Sequence, residues 1–375
     1  MGPRASGDRP PRAVVVGTGM IGRIHARSVV AAGADLAGIV GSTPERGKEI
    51  GWEWGVPSLG SLDDVLADDS IDVVHVCTPN SLHVRQASAV IDSGKHVICE
   101  KPLAVTADEA AGLAAAADEA GVVATVPFVY RYHPLVREIR ARRIAGEFGR
   151  CQLVHGSYLQ DWLLSGDSYS WRVDPALGGA SRAFADIGSH WCDLVEWVTG
   201  VEFDQVLGKL QTTHATRRVL LPGSGAEERQ PVDTEDVATV LLQSDQGVLA
   251  STVISQVSPG RKNRLWFELD GSKASAVFDQ ENPESVWLGG QDESRVLVRD
   301  PGSGSREQRR LSVLPAGHPQ GYAQCFDAFV RDTYAAIGGA VPEGLPTFSD
   351  GLRSARIVEA VLASDNDDQW TKVQS

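Results

Sequence analysis

Positive charge is what this chain is shortest of. Its 375 residues carry 35 Lys and Arg against 49 Asp and Glu, a formal net charge of -14. Nucleic-acid binding requires a basic surface to neutralise phosphates, so that class is excluded as an expectation. Long apolar runs are missing as well, and none approaches the roughly 20 residues of a membrane span. Cysteine is sparse and odd in number: Cys77, Cys99, Cys151, Cys192 and Cys325 are scattered, with no CxxC. A disulfide or zinc framework is therefore not expected, and reduced thiols in the cytoplasm are. There is no internal repeat. Met1 to Pro11 is polar, with arginines and no hydrophobic segment of signal type, and is expected to be a loose tail.

What is present fits a soluble globular protein, with 42% hydrophobic and 22% charged residues. The length exceeds one ordinary core, so two domains are expected. Ala13 to Val16 is an apolar, β-branched run that breaks into Gly17-Thr18-Gly19-Met20-Ile21-Gly22 and resumes with helical spacing. This reads as strand, tight turn, helix. Gly17 supplies a backbone conformation that other residues resist, Gly19 lets a pyrophosphate approach the main chain, and Gly22 lets the helix pack on the strand. Unpaired N–H groups at the helix start would hold phosphates. A helix over Met20 to Ala32, ended by Gly33, leads to a second buried strand, Asp35 to Val40.

The junction after that strand decides which nicotinamide cofactor fits. An acid there would hold the ribose hydroxyls of NAD, but Ser42 occupies the place, followed by Thr43 and Arg46. A small hydroxyl leaves room for a 2′-phosphate with which Arg46 pairs, so the expected cofactor is NAD(P) with NADP favoured. The plainer reading has Ser42 capping a helix that begins near Pro44, with Arg46 solvated. Further strands are predicted at Ile71 to Val76, His96 to Cys99 and Val122 to Val126. Helices are predicted from Ser61, over Ser81 to Ser93 and over Thr106 to Ala120. Alternation of this kind predicts a doubly wound parallel sheet. Thr78, Pro79, Asn80 and His83 follow one strand at the edge where ligands gather. Glu100-Lys101-Pro102 follows the next. Burying those two charges costs several kcal/mol per ion unless they are paired or used. Either they form a salt-bridged turn, or Lys101 is held over a nicotinamide to orient a substrate oxygen.

Pro127 to Pro134 is the expected crossing between domains. A helix over Leu135 to Ala145 and a strand over Gln152 to Gln160 follow. Tyr158, Gln160, Asp161, Trp162, Tyr169, Trp171 and Arg172 then interleave aromatics with polar groups, as a polyol site requires, although core packing explains any single tryptophan equally well. After Gly178-Gly179, a helix over Ala185 to Trp197 carries Asp186 and His190, four residues apart and so on one face. A histidine beside a carboxylate suits a general base. His190 with Asp193 lacks a third ligand of recognisable spacing, so no metal is expected. Strands are predicted at Leu207 to Thr213, Asp236 to Leu242, Val248 to Ser255, Arg264 to Leu269 and Ala274 to Phe278. Leu220 to Gln230 and part of Gly289 to Arg309 read as loops, Gln320 to Ala336 and Ser349 to Ala363 as helices, and Trp370 to Val373 as a closing strand.

The glycine motif, Thr78-Pro79-Asn80 with His83, Glu100-Lys101-Pro102 and Asp186-Ile187-Gly188-Ser189-His190 together resemble the glucose-fructose oxidoreductase, inositol dehydrogenase and rhizopine catabolism (Gfo/Idh/MocA) family, in the right order from Arg12 onward. Tyr158 to Trp162 and Ser170-Trp171-Arg172 are similar to its levoglucosan-dehydrogenase-like members. The resemblance implies an α/β fold: an N-terminal Rossmann domain, residues 12–130, and an α/β domain, residues 131–375, whose large, mostly antiparallel sheet carries the substrate site and commonly the oligomer contacts. It implies Lys101, Asp186 and His190 as the catalytic group, with a cis bond before Pro102. Gly17 to Gly22, Ser42, Thr43, Arg46, Thr78, Pro79, Asn80, His83, Glu100 and Lys101 would hold the cofactor. Lys101, Tyr130, Tyr158, Gln160, Trp162, Trp171, Arg172, Asp186 and His190 would face the substrate. The expected activity is NAD(P)-dependent hydride transfer at a sugar, anhydrosugar or cyclitol hydroxyl carbon, in a cytoplasmic homodimer or homotetramer. Two alternatives are an NAD-dependent glycosidase of the same superfamily and a non-catalytic nucleotide-sensing regulator. The joint presence of Lys101, Asp186 and His190 speaks against the sensor.

Overall fold

The computed structural model describes residues 9–220 and 227–374. In chain order the first half runs β1 (Arg12–Val16), α1 (Met20–Ala31), β2 (Asp35–Val40), α2 (Pro44–Trp54), α3 (Leu62–Ala67), β3 (Val73–Val76), α4 (His83–Asp92), β4 (His96–Cys99), α5 (Ala107–Ala120) and β5 (Ala124–Thr125). After α6 (Pro134–Ile144) come β6 (Cys151–Leu159), the short α7 (Pro175–Gly178) and α8 (Ser189–Thr199). Nine strands follow: β7 (Gln205–Gln211), β8 (Thr216–Leu220), β9 (Glu227–Pro231), β10 (Val237–Gln243), β11 (Leu249–Ser255), β12 (Arg264–Gly271), β13 (Ala274–Asp279), β14 (Ser285–Gly290) and β15 (Ser294–Val298). The chain closes with α9 (Arg306–Leu311), α10 (Tyr322–Ile337), α11 (Phe348–Asp367) and β16 (Thr371–Lys372).

Two compact units result. The first comprises residues up to Val129 together with Tyr322–Arg353, and the second comprises Tyr130–Gly321 with Ser354–Ser375. The expected assignment of everything beyond residue 130 to the second domain is corrected here. Asp327 of α10 accepts from Ser28 and from Arg27 of α1, each at 2.7 Å, and Val126 donates to the Pro346 carbonyl. These are tertiary bonds, which no local spacing reveals.

In the first unit, five parallel strands lie in the order β2-β1-β3-β4-β5. Strands β3 and β4 are buried throughout, as are the last four residues of β1, which is why they read as continuous apolar runs. The cap of α2 is Thr43, whose hydroxyl accepts from the Arg46 N–H, rather than Ser42. Thr106 caps α5 in the same way. Strand β5 keeps only two residues of the predicted Val122 to Val126.

The second unit holds a nine-stranded sheet in the order β15-β14-β13-β12-β6-β11-β10-β7-β16. Its pairs are antiparallel except β6 with β11. Helix α8 seats Trp191 against the sheet, where the indole donates to the Trp266 carbonyl at 3.0 Å. Gly156 leaves that space free, since a Cβ there would strike both the Trp266 carbonyl and the indole nitrogen.

Two predictions fail in this half, and a third is made more specific. Leu220 to Gln230 is not simply a loop: β8 and β9 pair as a separate hairpin, while residues 221–226 lie outside the described residues. Charged Glu227–Pro231 has no strand signal of its own, and its partner imposes the strand. Gly289 to Arg309 is loop in part, as expected, its other parts being the strand Ser294–Val298 and the start of the helix Arg306–Leu311. The single helix predicted from Ala185 starts instead as a π-turn, Phe184–Gly188, and becomes α-helical at Ser189. Among the described residues no helix is long and apolar enough to cross a membrane.

Candidate active site

The glycine turn is built as the sequence requires. Gly17 adopts φ +106, and a Cβ there would strike the Cys77 carbonyl. A Cβ on Gly22 would strike the Gly17 carbonyl. Gly19, at the start of α1, faces open space, no side chain caps the helix, and no acid lies in its first turn. Met20 is exposed. An uncapped helix start with an open glycine fits a dinucleotide pyrophosphate, which its free N–H groups and dipole would hold. At the junction after β2, Arg46 is drawn to Glu49 at 2.7 Å on the surface, a pair that exchanges readily for a phosphate.

The ends of β3 and β4 are tied together by His83. This ring is fully buried, and its nitrogens face the main-chain carbonyls of Pro102 (2.8 Å) and Thr78 (2.9 Å). Burial pushes its pKa down despite those carbonyls and Glu100. Its place is thus to brace the two loops. Thr78 donates its hydroxyl to Gln86 at 2.6 Å, and Asn80 is buried beside it in the chain. The Lys101–Pro102 bond is cis. Glu100, at 6% exposure, accepts from His25 Nε2 at 3.0 Å and from the Lys101 main-chain N–H at 3.1 Å. Burial pushes the Glu100 carboxyl up, but the His25 hydrogen bond, with the Lys101 charge nearby, holds it below the usual range.

In the second unit, one edge of the sheet collects the polar groups. Strand β6 ends at Leu159, β11 runs parallel to it and ends at Ser255, and antiparallel β12 starts beside them at Arg264. Residues just beyond those ends therefore meet. Tyr130 and Tyr158 share a hydrogen bond at 2.5 Å, Tyr158 donates to Asn263 Oδ1 at 2.6 Å, and Asn263 Nδ2 donates back to Tyr130 at 3.1 Å. Gln160 donates to the same Asn263 oxygen at 2.8 Å, and the Trp162 indole donates to Gln160 Oε1 at 2.8 Å. His190, at 6% exposure, presents its ring edge-on to Tyr130 at 5.0 Å and lies 6.4 Å from Tyr158.

Asp186 stands in the π-turn immediately before α8. Its carboxylate accepts from Gln256 Nε2 at 2.8 Å and lies 3.4 Å from Arg172 Nε, whose guanidinium covers the Trp171 ring at 4.5 Å. The π-turn itself is anchored by buried Glu235, which accepts from Ser181 Oγ and from the N–H groups of Arg182 and Phe184. Burial pushes the Glu235 pKa up against those donors. Extra residues per turn are common where a helix must aim a functional side chain. Trp162 and Arg172 are both partly accessible.

Asn263 and Gln256 escaped the sequence reading. The usable signal was position alone, a polar amide just outside a predicted strand end. Asp193, weighed with His190 as a metal ligand, is instead gripped by Arg131 through two hydrogen bonds. Among the described residues, ligand-type groups converge only at His155, Glu268 and Asp270, on the face of the sheet away from the helices.

The architecture defines the chain as an NAD-binding oxidoreductase of two α/β units. Residues 11–128 match the oxidoreductase family, NAD-binding Rossmann fold, and residues 136–277 match the GFO/IDH/MocA C-terminal domain. Levoglucosan dehydrogenase of Pseudarthrobacter phenanthrenivorans is 30% identical over 359 residues, covering 89% of this chain and 88% of that one. An NADP-dependent D-xylose 1-dehydrogenase of Haloferax volcanii is 32% identical, covering 71% and 83%. A solved levoglucosan dehydrogenase in complex with NADH and levoglucosan superposes with a TM-score of 0.90 at 28% identity, over 98% of this chain and 100% of that one. The chain belongs to the Gfo/Idh/MocA oxidoreductase family.

Proposed function

We propose that this chain is an NAD(P)-dependent dehydrogenase acting on a hydroxyl carbon of a sugar, anhydrosugar or cyclitol. The observation that carries the reading is the sheet edge of the second unit. A buried imidazole, His190, adjoins a wall of Tyr, Asn, Gln and Trp groups, with Asp186 on the preceding turn and Arg172 against its carboxylate. Hydroxyl-rich substrates are recognised by such alternating donors, acceptors and aromatic faces. The related levoglucosan and xylose dehydrogenases support the substrate class.

The bound nicotinamide supplies the hydride acceptor. His190 takes the proton of the substrate hydroxyl, and Lys101 donates a hydrogen bond to the same oxygen as its negative charge grows. Asp186, with Gln256 and Arg172 on its carboxylate, positions that arrangement. In reverse, His190 returns the proton and a keto-sugar becomes an alcohol. The uncapped helix start at Gly19 binds the pyrophosphate, and Ser42, Thr43 and Arg46 favour a 2′-phosphate, hence NADP. All five cysteines are free thiols, which suits the cytoplasm. The exposed face of the nine-stranded sheet is the surface for a homodimer or homotetramer.

The test is a panel of monosaccharides, inositols and anhydrosugars followed at the reduced-nicotinamide absorbance band. Net formation of reduced cofactor from a free sugar is expected. Lys101→Ala and His190→Ala each lower kcat by at least ~10²-fold on the active substrate. Unchanged rates in either variant reject the assignment.

A further inference from the structure

Behind Glu100, inside the first unit, runs a single file of buried hydrogen-bonding side chains. Glu100 Oε1 meets His25 Nε2 at 3.0 Å, His25 Nδ1 meets His75 Nδ1 at 2.9 Å, and His75 Nε2 meets the Tyr334 hydroxyl at 2.8 Å. His25 and His75 are 0% exposed and Tyr334 is 6% exposed. The rings also pack edge to face, His25 on His75 and on Phe326, and His75 on Tyr334. Four elements far apart in sequence contribute one member each: α1, β3, the end of β4, and α10. The charged and titratable groups around them are Cys77 and Cys99, which feel the Glu100 charge, with His83 and Lys101.

A polar file in a core is costly unless every member is satisfied. Here the donors can be assigned in one direction. A carboxylate only accepts, so His25 Nε2 carries a hydrogen. With the hydrogen between the two rings on His75 Nδ1, His25 Nδ1 accepts it, and the His75 Nε2 accepts from the Tyr334 hydroxyl. Burial keeps His75 well below the usual imidazole range, so its neutral form with one ring hydrogen matches this direction. Every hydrogen bond then points toward Glu100, and the carboxylate terminates the file. The other Glu100 oxygen holds the Lys101 main-chain N–H.

We propose that His25, His75 and Tyr334 are positioning residues for the reaction, a one-way hydrogen-bond file that keeps Glu100 a carboxylate and thereby fixes the main chain from which Lys101 reaches the substrate. The inference rests on the dehydrogenase reading and goes beyond it by assigning three residues that touch neither substrate nor cofactor. Removing His25 leaves a buried carboxylate without its main side-chain hydrogen-bond donor, so Glu100 takes up a proton at a higher pH. Breaks further along the file act in the same direction with decreasing force.

The experiment is steady-state kinetics of His25→Leu, His25→Gln, His75→Leu and Tyr334→Phe as a function of pH, with NADH binding followed by fluorescence. His25→Leu is expected to lower kcat about 10-fold at neutral pH, less than the ~10²-fold lost with a group that itself moves the proton. The acid limb of its kcat profile moves to higher pH, while NADH affinity stays within about 2-fold. His75→Leu and Tyr334→Phe show smaller shifts of the same sign. His25→Gln, which keeps an N–H toward Glu100, recovers most of the loss. An unmoved acid limb in His25→Leu, or a His25→Gln variant as impaired as His25→Leu, overturns the proposal. If the wild type oxidises nothing in the panel, the dehydrogenase reading fails by itself. The file is then judged by ¹⁵N histidine spectra, where His75 as the neutral Nδ1–H tautomer, altered by Tyr334→Phe, upholds the assigned direction, and any other tautomer overturns it.

Discussion

His133 opens α6 with its ring stacked on Tyr130 at 5.9 Å and tilted against Phe278 at 5.1 Å. Among the described residues neither of its buried ring nitrogens meets a hydrogen-bond partner. Burial pushes its pKa down to about 4, with the Glu284 charge opposing only weakly. The unfolded chain binds that proton near pH ~6.5. The group's folded value is therefore depressed, so its contribution to stability is whole above ~6.5 and is lost as pH falls toward 4. Between neutrality and pH ~4.5 the loss is about 2 to 3 kcal/mol. His75, His83 and His96 are shifted in the same direction by burial, so the wild type is expected to lose stability steeply on that side. Denaturant unfolding at the two pH values checks the share of one residue: His133→Phe narrows the difference by roughly that amount. An equal difference in both proteins places the acid sensitivity elsewhere.

At the scale of elements, the β2–α2 junction decides cofactor choice, because the loop from Gly41 to Pro44 passes where an adenine ribose lies in folds of this kind. Thr43 caps α2 and leaves Ser42 exposed, while the Arg46 guanidinium, in the first turn, pairs with Glu49. Arg46→Ala is expected to raise KM for NADP about 10-fold and leave KM for NAD within about 2-fold, as loss of a charge-assisted phosphate contact does. Clear preference for NAD in the wild type, unaffected by the substitution, removes the lean to NADP. This junction was readable in the sequence because strand, turn and cap are neighbours in the chain. So was the glycine turn, and so was Glu100 as a charge in need of a reason. What supplies that reason was not readable: His25 and His75 looked like ordinary residues of an amphipathic helix and a buried strand until Tyr334 arrived from the far end. Asn263 and Gln256 were hidden for a related cause, since sheet register decides which strand ends adjoin. The π-turn at Asp186 was missed because residue spacing alone does not distinguish it from an α-helix.

At the scale of the whole molecule, one face of the nine-stranded sheet carries no helix among the described residues. Leu249 and Leu153 are paired across β11 and β6, and Val253 and Leu241 stand on the same face, all between 39% and 49% exposed. This face is the surface on which the proposed oligomer would form. Val253→Asp together with Leu241→Asp is expected to convert an oligomer to monomer in light scattering, with the circular dichroism spectrum unchanged. A wild-type protein that already runs as a monomer at micromolar concentration rejects this surface as an interface. The return of Tyr322–Arg353 to the first unit has a consequence for biosynthesis. A nascent chain exposes β1 to β5 long before the ribosome has made the helix that covers α1, so the cofactor-binding half is completed last rather than first. Translation stalled near residue 320 would release a Rossmann sheet with a bare flank and a His25–His75 pair lacking its terminal hydroxyl.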